Sequence, residues 1–319
     1  MTMRELAKLA NVSVSTASKA FHDAPDISRE TRQRVLETAK KYGCYGKFYK
    51  GKFHKKIIAI ICPELGSSFY TAYVERLQDL IERSGGIALV SSDRFNKVSQ
   101  AELMEYYASY LQVDGIVVFN LKAPVKKGYD IPVVSIFSAP EPNVDTVTVD
   151  LKKPIQDAVA LLRSLGHEKI AFLGENLTYY KEELFCKAMG ETGIVFRSEN
   201  RFEKAGEDGI VQMLKQAPDT TAVVCAYDRI ALGAIRHLTR CGYRVPEDVS
   251  VVGIDNISTA EHSQTALTTI DTNPDEVCMI AWDIIQKKQQ SKYYRSNQAI
   301  TIAGKLVIRE TVGKCKNKI

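Results

Sequence analysis

A chain of 319 residues, 45% hydrophobic and 25% charged, is long enough for more than one domain and too mixed in composition to be disordered or fibrous. It has no run of eighteen apolar residues and no apolar leader, and its seven scattered cysteines include no CxxC pair and no histidines at metal-ligand spacing. These features argue against a membrane span, secretion, a disulfide scaffold and a zinc site, so the expectation is a cytoplasmic protein with buried thiols, no metal and no cofactor. The net charge of +5 is unevenly spread: residues 1–56 carry 13 Lys+Arg against 5 Asp+Glu, the remainder 30 against 33. A basic head on a mildly acidic body is the footprint of a polyanion binder whose body does something else.

Met3, Leu6, Ala7 and Ala10 stand at i, i+3, i+4 and i+7, the apolar face of a first helix over residues 3–10 with Thr2 as its N-cap. Asn11 follows where the chain must turn sharply, and asparagine tolerates left-handed dihedrals. Residues 12–21 (VSVSTASKAF) then put small residues inside and hydroxyls outside, a second helix crossing the first steeply. Such a pair is a helix-turn-helix, whose second helix lies in the major groove of duplex DNA while neighbouring hydroxyls approach phosphates. Residues 28–42 supply a third helix, with Ser28 as cap, Thr31 at its third position and Val35, Leu36 and Ala39 as the buried stripe.

From about Lys56 onward, short β-branched runs alternate with longer amphipathic ones, the pattern of parallel strands joined by crossover helices. Strands are predicted at 57–62, 87–91, 115–119, 133–137 and 147–149 in a first half, and at 170–173, 222–226 and 249–253 in a second. Helices are predicted at 70–83, 100–111, 154–165, 180–192, 204–216, 229–241 and 274–288. The fold class is α/β: an all-α headpiece followed by two doubly wound parallel-sheet subdomains of about 110 residues each. Ligands of such sheets bind beyond the carboxyl ends of the strands, which makes the cleft between the halves the expected pocket. Residues just past strand ends are therefore candidates, with aromatics suited to stacking on a sugar or nucleoside and carboxylates to bonding its hydroxyls. Phe69, Tyr70, Asp228 and Asp255 are the leading ones, each aromatic having core packing as its plain alternative and Asp228 helix capping.

ELAKLANVSVSTASKAF followed by SRETRQRVLETAKKYG resembles the headpiece of the lactose/galactose-repressor family of bacterial regulators. The resemblance continues through GHEKIAFLG (166–174), YDRIALGAIRHL (227–238), RVPEDVSVVGIDN (244–256) and LTTID (267–271). It implies a body like a periplasmic sugar-binding protein, crossed three times by the chain, near Leu165, Ile270 and Ala303. The implied division is a headpiece at 1–45, a hinge at 46–56 and a core at 57–319. Within the core, the first subdomain would take about 57–165 and 271–303, and the second 166–270 and 304–319. By the same resemblance Val14, Ser15 and Lys19 are the base-reading positions, facing a thymine methyl, either member of a base pair, and guanine O6/N7. Ser13, Thr16, Ser18 and Thr31 would hold phosphates, with Thr2 and His22 at the same surface. A homodimer, its contacts on the 70–83 helix and the Trp282 helix, would present two headpieces to a near-palindromic double-stranded operator, and could pair further into a tetramer.

Departures from the family pattern matter as much. Lys181 stands where the family usually has an effector-gripping arginine, and it offers a point charge without the planar fork. Tyr227 and Asn256 replace a common Asn and a common Asp, and Phe202 is a further stacking candidate. In the hinge, the usual short helix with its minor-groove leucines is replaced by GKFYKGKFHK, where Gly46 and Gly51 each weaken a helix by about 0.5–1 kcal/mol. Phe53 falls near the wedge position, so the expectation is a basic linker that orders on DNA, with a flexible tether as the alternative. The implied activity is transcriptional repression tuned by a small metabolite, a sugar, sugar phosphate or nucleoside. Other readings are a vestigial cleft with the signal supplied by a protein partner, a transport protein, or an enzyme. The sequence lacks GxGxxG, GxxxxGK[ST], GxSxG and HExxH, and its five histidines form no evident triad, so the enzyme reading has no motif behind it.

Overall fold

The computed structural model describes residues 1–22, 24–48, 55–125, 129–142, 144–190, 193–291 and 296–315. The headpiece comprises α1 (Met3–Leu9), α2 (Val14–Phe21), α3 (Arg29–Lys41) and a short α4 (Tyr45–Phe48). Each start has a local cause. Thr2 and Glu5 form a reciprocal capping box, and the Ser13 and Ser28 hydroxyls accept from the backbone N–H groups of Thr16 and Thr31. Asn11 takes a φ of 53°, which lets α2 turn back across α1. Leu6, Ala7, Ala10, Ala17, Ala20, Phe21, Val35 and Ala39 close a small core of their own. The Tyr45 and Phe48 rings lie 6.1 and 5.7 Å from the Phe21 ring, so the headpiece packing reaches Phe48, within the stretch expected to be hinge.

The body contains two six-stranded sheets. The first is built from β1 (Ile57–Cys62), β2 (Ile87–Ser92), β3 (Gly115–Phe119), β4 (Val133–Ile136), β5 (Asp145–Asp150) and β11 (Ala299–Ala303), ordered β11-β5-β4-β3-β1-β2. The second contains β6 (Ile170–Glu175), β7 (Ile194–Ser198), β8 (Ala222–Cys225), β9 (Ser250–Asp255), β10 (Thr268–Asp271) and β12 (Lys305–Val307), ordered β12-β10-β9-β8-β6-β7. All pairings are parallel except that of β12 with β10. In β1, Ile58, Ile60 and Cys62 face one layer and Ala59 and Ile61 the other, the continuous apolar run expected of a strand covered on both sides. The covering helices are α5 (Ser68–Arg83), α6 (Lys97–Glu105), α7 (Lys152–Ser164), α8 (Tyr179–Met189), α9 (Phe202–Gln216), α10 (Asp228–Arg240) and α12 (Pro274–Gln290), with a single turn α11 (Ser258–Glu261).

The structure departs from the sequence expectations in four places. The strands β7, β10, β11 and β12 are additional; β11 and β12 have exposed residues on at least one face, and so lack the apolar run by which the other strands announce themselves. The 100–111 helix is α6 followed by a π-helical turn at Tyr106–Leu111. The helix expected at 180–192 ends at Met189, and its expected last residues lie outside the described ones. The first crossing lies at 150–152 and not near Leu165, because α7 packs on α8 and β12 of the second sheet. The other two crossings fall at 272–273 and Gly304. All three pass side by side: Gly304 N–H donates to Asp150 O at 3.1 Å, and a Cβ on Gly304 would sit 3.1 and 3.3 Å from the Asp150 and Asp271 carbonyl oxygens. No helix among the described residues is long and apolar enough to cross a membrane.

Candidate functional site

On the headpiece, Thr2, Ser13, Val14, Ser15, Lys19 and His22 are exposed and Thr16, Ser18 and Thr31 half-buried, while Ala17 and Ala20 of the same helix are buried. Val14 is 45% exposed, an apolar side chain held in solvent at the first turn of α2, as a contact to a thymine methyl requires. Three of the hydroxyls also have a structural duty. Ser13 and Thr16 bond each other at 2.8 Å, and Ser28 donates to Thr31 at 2.9 Å. His22 Nδ1 lies 2.8 Å from the Ser18 carbonyl oxygen. Lys19 is paired with Asp26, a partner the sequence did not suggest, and its ammonium holds the Asp26 carboxyl below the usual range. Phe53 lies outside the described residues.

The second surface is a cavity of about 440 Å³ between the two sheets, at the carboxyl ends of their strands. Phe69, Tyr70, Lys181, Phe202, Tyr227, Asp228 and Asp255 all line it. They come from both subdomains and are separated by up to 186 positions, yet the turns after β1, β6, β7, β8 and β9 bring them together. Phe69 stacks on Phe137 at 5.3 Å and meets Tyr70 edge-on at 5.0 Å. The Tyr70 hydroxyl accepts from Asn120 Nδ2 at 2.6 Å, and the Tyr227 hydroxyl accepts the Phe202 N–H at 3.0 Å. Burial pushes both phenol pKa values up, so both hydroxyls keep their protons for donation.

Lys181 and Asp228 are less free than the sequence suggests. Lys181 Nζ donates to Asp255 Oδ1 at 3.0 Å and to the Ala226 carbonyl at 2.8 Å. The short ammonium thus ties α8 to the ends of β8 and β9 where a longer guanidinium would reach into the cleft. Asp228 is fully buried and is the first residue of α10, not its cap, which is Tyr227. Its carboxyl accepts the Ile257 N–H at 2.8 Å and the Thr269 hydroxyl, so it clamps the β9 loop to β10. Gly253 faces it so closely that a Cβ there would sit 2.2 Å from Asp228 Oδ1. Burial, assisted by the nearby Asp255 charge, pushes the Asp228 carboxyl up to about 8, leaving it largely protonated at neutral pH.

Several cleft residues escaped the sequence reading. Glu64, Phe95, Glu175, Tyr180, Arg201 and Arg229 also line the cavity. Arg201, from the turn after β7, makes a bidentate pair with Glu64 of the first subdomain, both contacts at 2.8 Å. Arg229 pairs with Glu203 at 2.7 and 2.8 Å. A predicted strand at β7 would have pointed to Arg201 by the same rule that pointed to Asp255. On the Trp282 helix, one of the two expected at a dimer surface, Trp282 itself is 7% exposed and packs into the core, whereas Met279 is exposed. Among the described residues no group of histidine, cysteine and carboxylate side chains could hold a metal ion.

Comparison with known proteins accounts for both surfaces. Residues 2–44 match the family model of bacterial regulatory proteins of the lacI family, and residues 159–312 the periplasmic binding protein-like domain. The HTH-type transcriptional repressor CytR of Escherichia coli K12 is 26% identical over 94% of this chain and 93% of its own length. The lac repressor dimer bound to operator and an anti-inducer has the same fold, with a TM-score of 0.69 and 20% identity over 98% of this chain and 99% of that one. A LacI-family regulator from Enterococcus faecium with bound ribose gives a TM-score of 0.71 at 21% identity, covering 82% of this chain and all of that one. The chain thus joins a helix-turn-helix of the lacI family of bacterial regulatory proteins, its second helix exposed, to a periplasmic binding protein-like domain of two parallel sheets around a cleft.

Proposed function

We propose that this chain is a cytoplasmic repressor that binds a near-palindromic operator as a homodimer and that a neutral, hydroxyl-rich metabolite in the interdomain cleft tunes its affinity. The observation that carries the reading is the pairing, in one chain, of an exposed helix with base- and phosphate-suited side chains and a cleft lined by seven residues of effector-binding chemistry. Val14, Ser15 and Lys19 read bases, and Ser13, Thr16, Ser18 and Thr31 hold phosphates. The CytR repressor and the operator-bound lac repressor dimer support the roles in repression and dimerisation. Lys19 must leave Asp26 to reach a guanine, so operator binding exchanges one exposed ion pair for a base contact.

The charge pattern narrows the effector. Of the cations lining the cleft, Lys181, Arg201 and Arg229 are already held by Asp255, Glu64 and Glu203. A phosphate would have to break one of these pairs or rely on Lys122, which donates to the Phe95 carbonyl at 3.2 Å, whereas a sugar or nucleoside needs only the aromatic faces of Phe69 and Phe202 and the tyrosine hydroxyls. The ribose-bound neighbour supports that class. Effector coupling of about 1–3 kcal/mol suffices to change operator affinity 5- to 150-fold.

The test is a calorimetric panel of neutral sugars, nucleosides and their phosphates, followed by operator titration with each binder, and sedimentation to distinguish dimer from tetramer. Binding by a neutral member, with a matching change in operator affinity, supports the reading. Operator affinity indifferent to the whole panel would favour a protein-supplied signal, and turnover of any member would favour an enzyme.

A further inference from the structure

The three crossings join the sheets along one side only. β11, β5, β12 and β10 lie at that side, and the sheets' other edges, β2 and β7, lie farthest from it. At those far edges each subdomain ends its strand in a turn carrying a phenylalanine with left-handed backbone: Phe95 at φ 60° after β2, and Phe202 at φ 59° after β7. For a bulky side chain this conformation is uncommon and needs support from its surroundings. Here the support is a ladder of alternating cations and rings running across the cleft mouth.

The Arg201 guanidinium lies 5.4 Å from the Phe95 ring centroid and 4.6 Å from that of Phe202. Arg229 sits 3.8 Å from the Phe202 ring centroid, and Lys122 5.5 Å from that of Phe95. The ladder is anchored across the cleft twice, by the Arg201–Glu64 fork and by Arg229 Nη1 donating to the Gly66 carbonyl at 3.2 Å. Guanidinium stacked on rings and forked on a carboxylate is the arrangement in which arginine is least replaceable by lysine. All of these contacts are made within the chain itself, so the closing force they supply is independent of any ligand. The Glu64–Arg201 fork sits past β1 and β7, toward the sheet edges farthest from the crossings, where an attraction opposes rotation of one subdomain away from the other with a long lever arm.

We infer that the Glu64–Arg201 fork, seated between Phe95 and Phe202, is a latch that holds the two core subdomains together at the cleft mouth and sets their resting closure. The core therefore has an intrinsic open–closed balance, weighted toward closure by this ion pair and its ring contacts, on which any effector of the cleft must act.

The test needs neither DNA nor effector, so its failure is distinguishable from failure of the functional reading. Nitroxide labels at Lys97→Cys and Glu199→Cys, on exposed positions of the two subdomains and in a background carrying Cys186→Ser, Cys241→Ser and Cys315→Ser, report the distance across the mouth by pulsed electron paramagnetic resonance. The unaltered latch gives one short, narrow distance. Glu64→Gln and Arg201→Gln each lengthen and broaden it, and Arg201→Lys, which keeps charge but loses the fork, falls between. The exchanged pair Glu64→Arg with Arg201→Glu restores the short distance, which mere damage to folding would not do. A distribution in Glu64→Gln identical to that of the parent, at both 0.1 and 1 M salt, overturns the latch and assigns closure to the crossings alone.

Discussion

The headpiece and the core bury their candidate functional residues in opposite ways, and the contrast bears on how the proposed coupling of two ligands would work. In the headpiece the interior is small and apolar, and the face proposed to read DNA is what remains outside: Val14, Ser15 and Lys19 are exposed on a helix whose Ala17, Ala20 and Phe21 are buried. In the core, the cleft collects polar groups in the interior, and nearly every one is already engaged: Lys181 by Asp255, Arg201 by Glu64, Asp228 by Ile257 and Thr269. An exposed surface suits DNA, whose recognition asks for exchange of an exposed pair such as Lys19–Asp26 but no rearrangement of the reader's core. A site whose charges are satisfied internally suits a switch, because a ligand enters by replacing contacts that hold two bodies together.

The contrast can be broken most forcefully at Phe21. Its ring is the centre of the headpiece core, touching Tyr45 and Phe48. Truncating a buried phenylalanine costs about 3–5 kcal/mol, comparable to the whole stability of so small a unit. Phe21→Ala is expected to abolish DNA binding while the core's calorimetric transition and effector binding persist; loss of both together would show that headpiece and core do not fold independently.

The core has its own equivalent where α9 and α10 meet backbone to backbone. A Cβ on Gly206 would lie 2.0 Å from the Ile230 carbonyl oxygen, and one on Gly233 equally close to that of Glu203. Gly206→Ala should destabilise the core by about 3 kcal/mol, lowering its melting temperature with the headpiece signal unchanged. A melting temperature equal to the parent's would mean that the helices part easily and contribute little.

Asp228 sharpens the comparison through pH. Its carboxyl titrates near 8 when folded and near 4 when unfolded, so between these values the native state holds a proton that the unfolded state has released. The stabilisation is therefore fully present below about pH 4 and is lost as pH rises towards 8, with a slope of up to about 1.4 kcal/mol per pH unit. Asp228→Asn keeps the shape and removes the titration. The difference in core stability between parent and variant, followed by denaturant melts from pH 5 to 8, should fall with that slope; a flat difference would show that Asp228 stays ionised in place.

The smallest effect belongs to the α2 cap. Ser13→Ala removes the acceptor of the Thr16 N–H and should cost the headpiece about 1 kcal/mol, with loss of operator affinity exceeding that figure only where Ser13 also holds a phosphate.

The same contrast governs how much could be read from the sequence. The headpiece was legible almost residue by residue, because caps, the Asn11 turn and the buried stripe are set by neighbours within four positions. Its Lys19–Asp26 pair was not, since it depends on how the loop after α2 folds back. In the core, β1, β3, β4, β6, β8 and β9 announced themselves as apolar runs covered on both faces. β11 and β12 did not, because residues of an edge strand facing solvent look like loop. The cleft aromatics and Asp255 followed from the rule that ligands bind past strand ends. Arg201 follows the same rule but was hidden because β7 was not recognised, whereas Phe95, just past the predicted β2, was open to that rule and was not singled out; pairing Arg201 with Glu64 and Phe95 depends on the approach of two subdomains, which no local pattern encodes.

The central claim, that α2 reads sequence, is tested most directly by selecting bound duplexes from a random pool at fixed salt with the full chain and with Lys19→Ala. The account predicts an enriched near-palindrome for the parent and, for the variant, lost preference at one symmetric pair of positions with the rest of the site unchanged. Binding without enrichment, weakening only as salt rises and unaffected by Lys19→Ala, would contradict it.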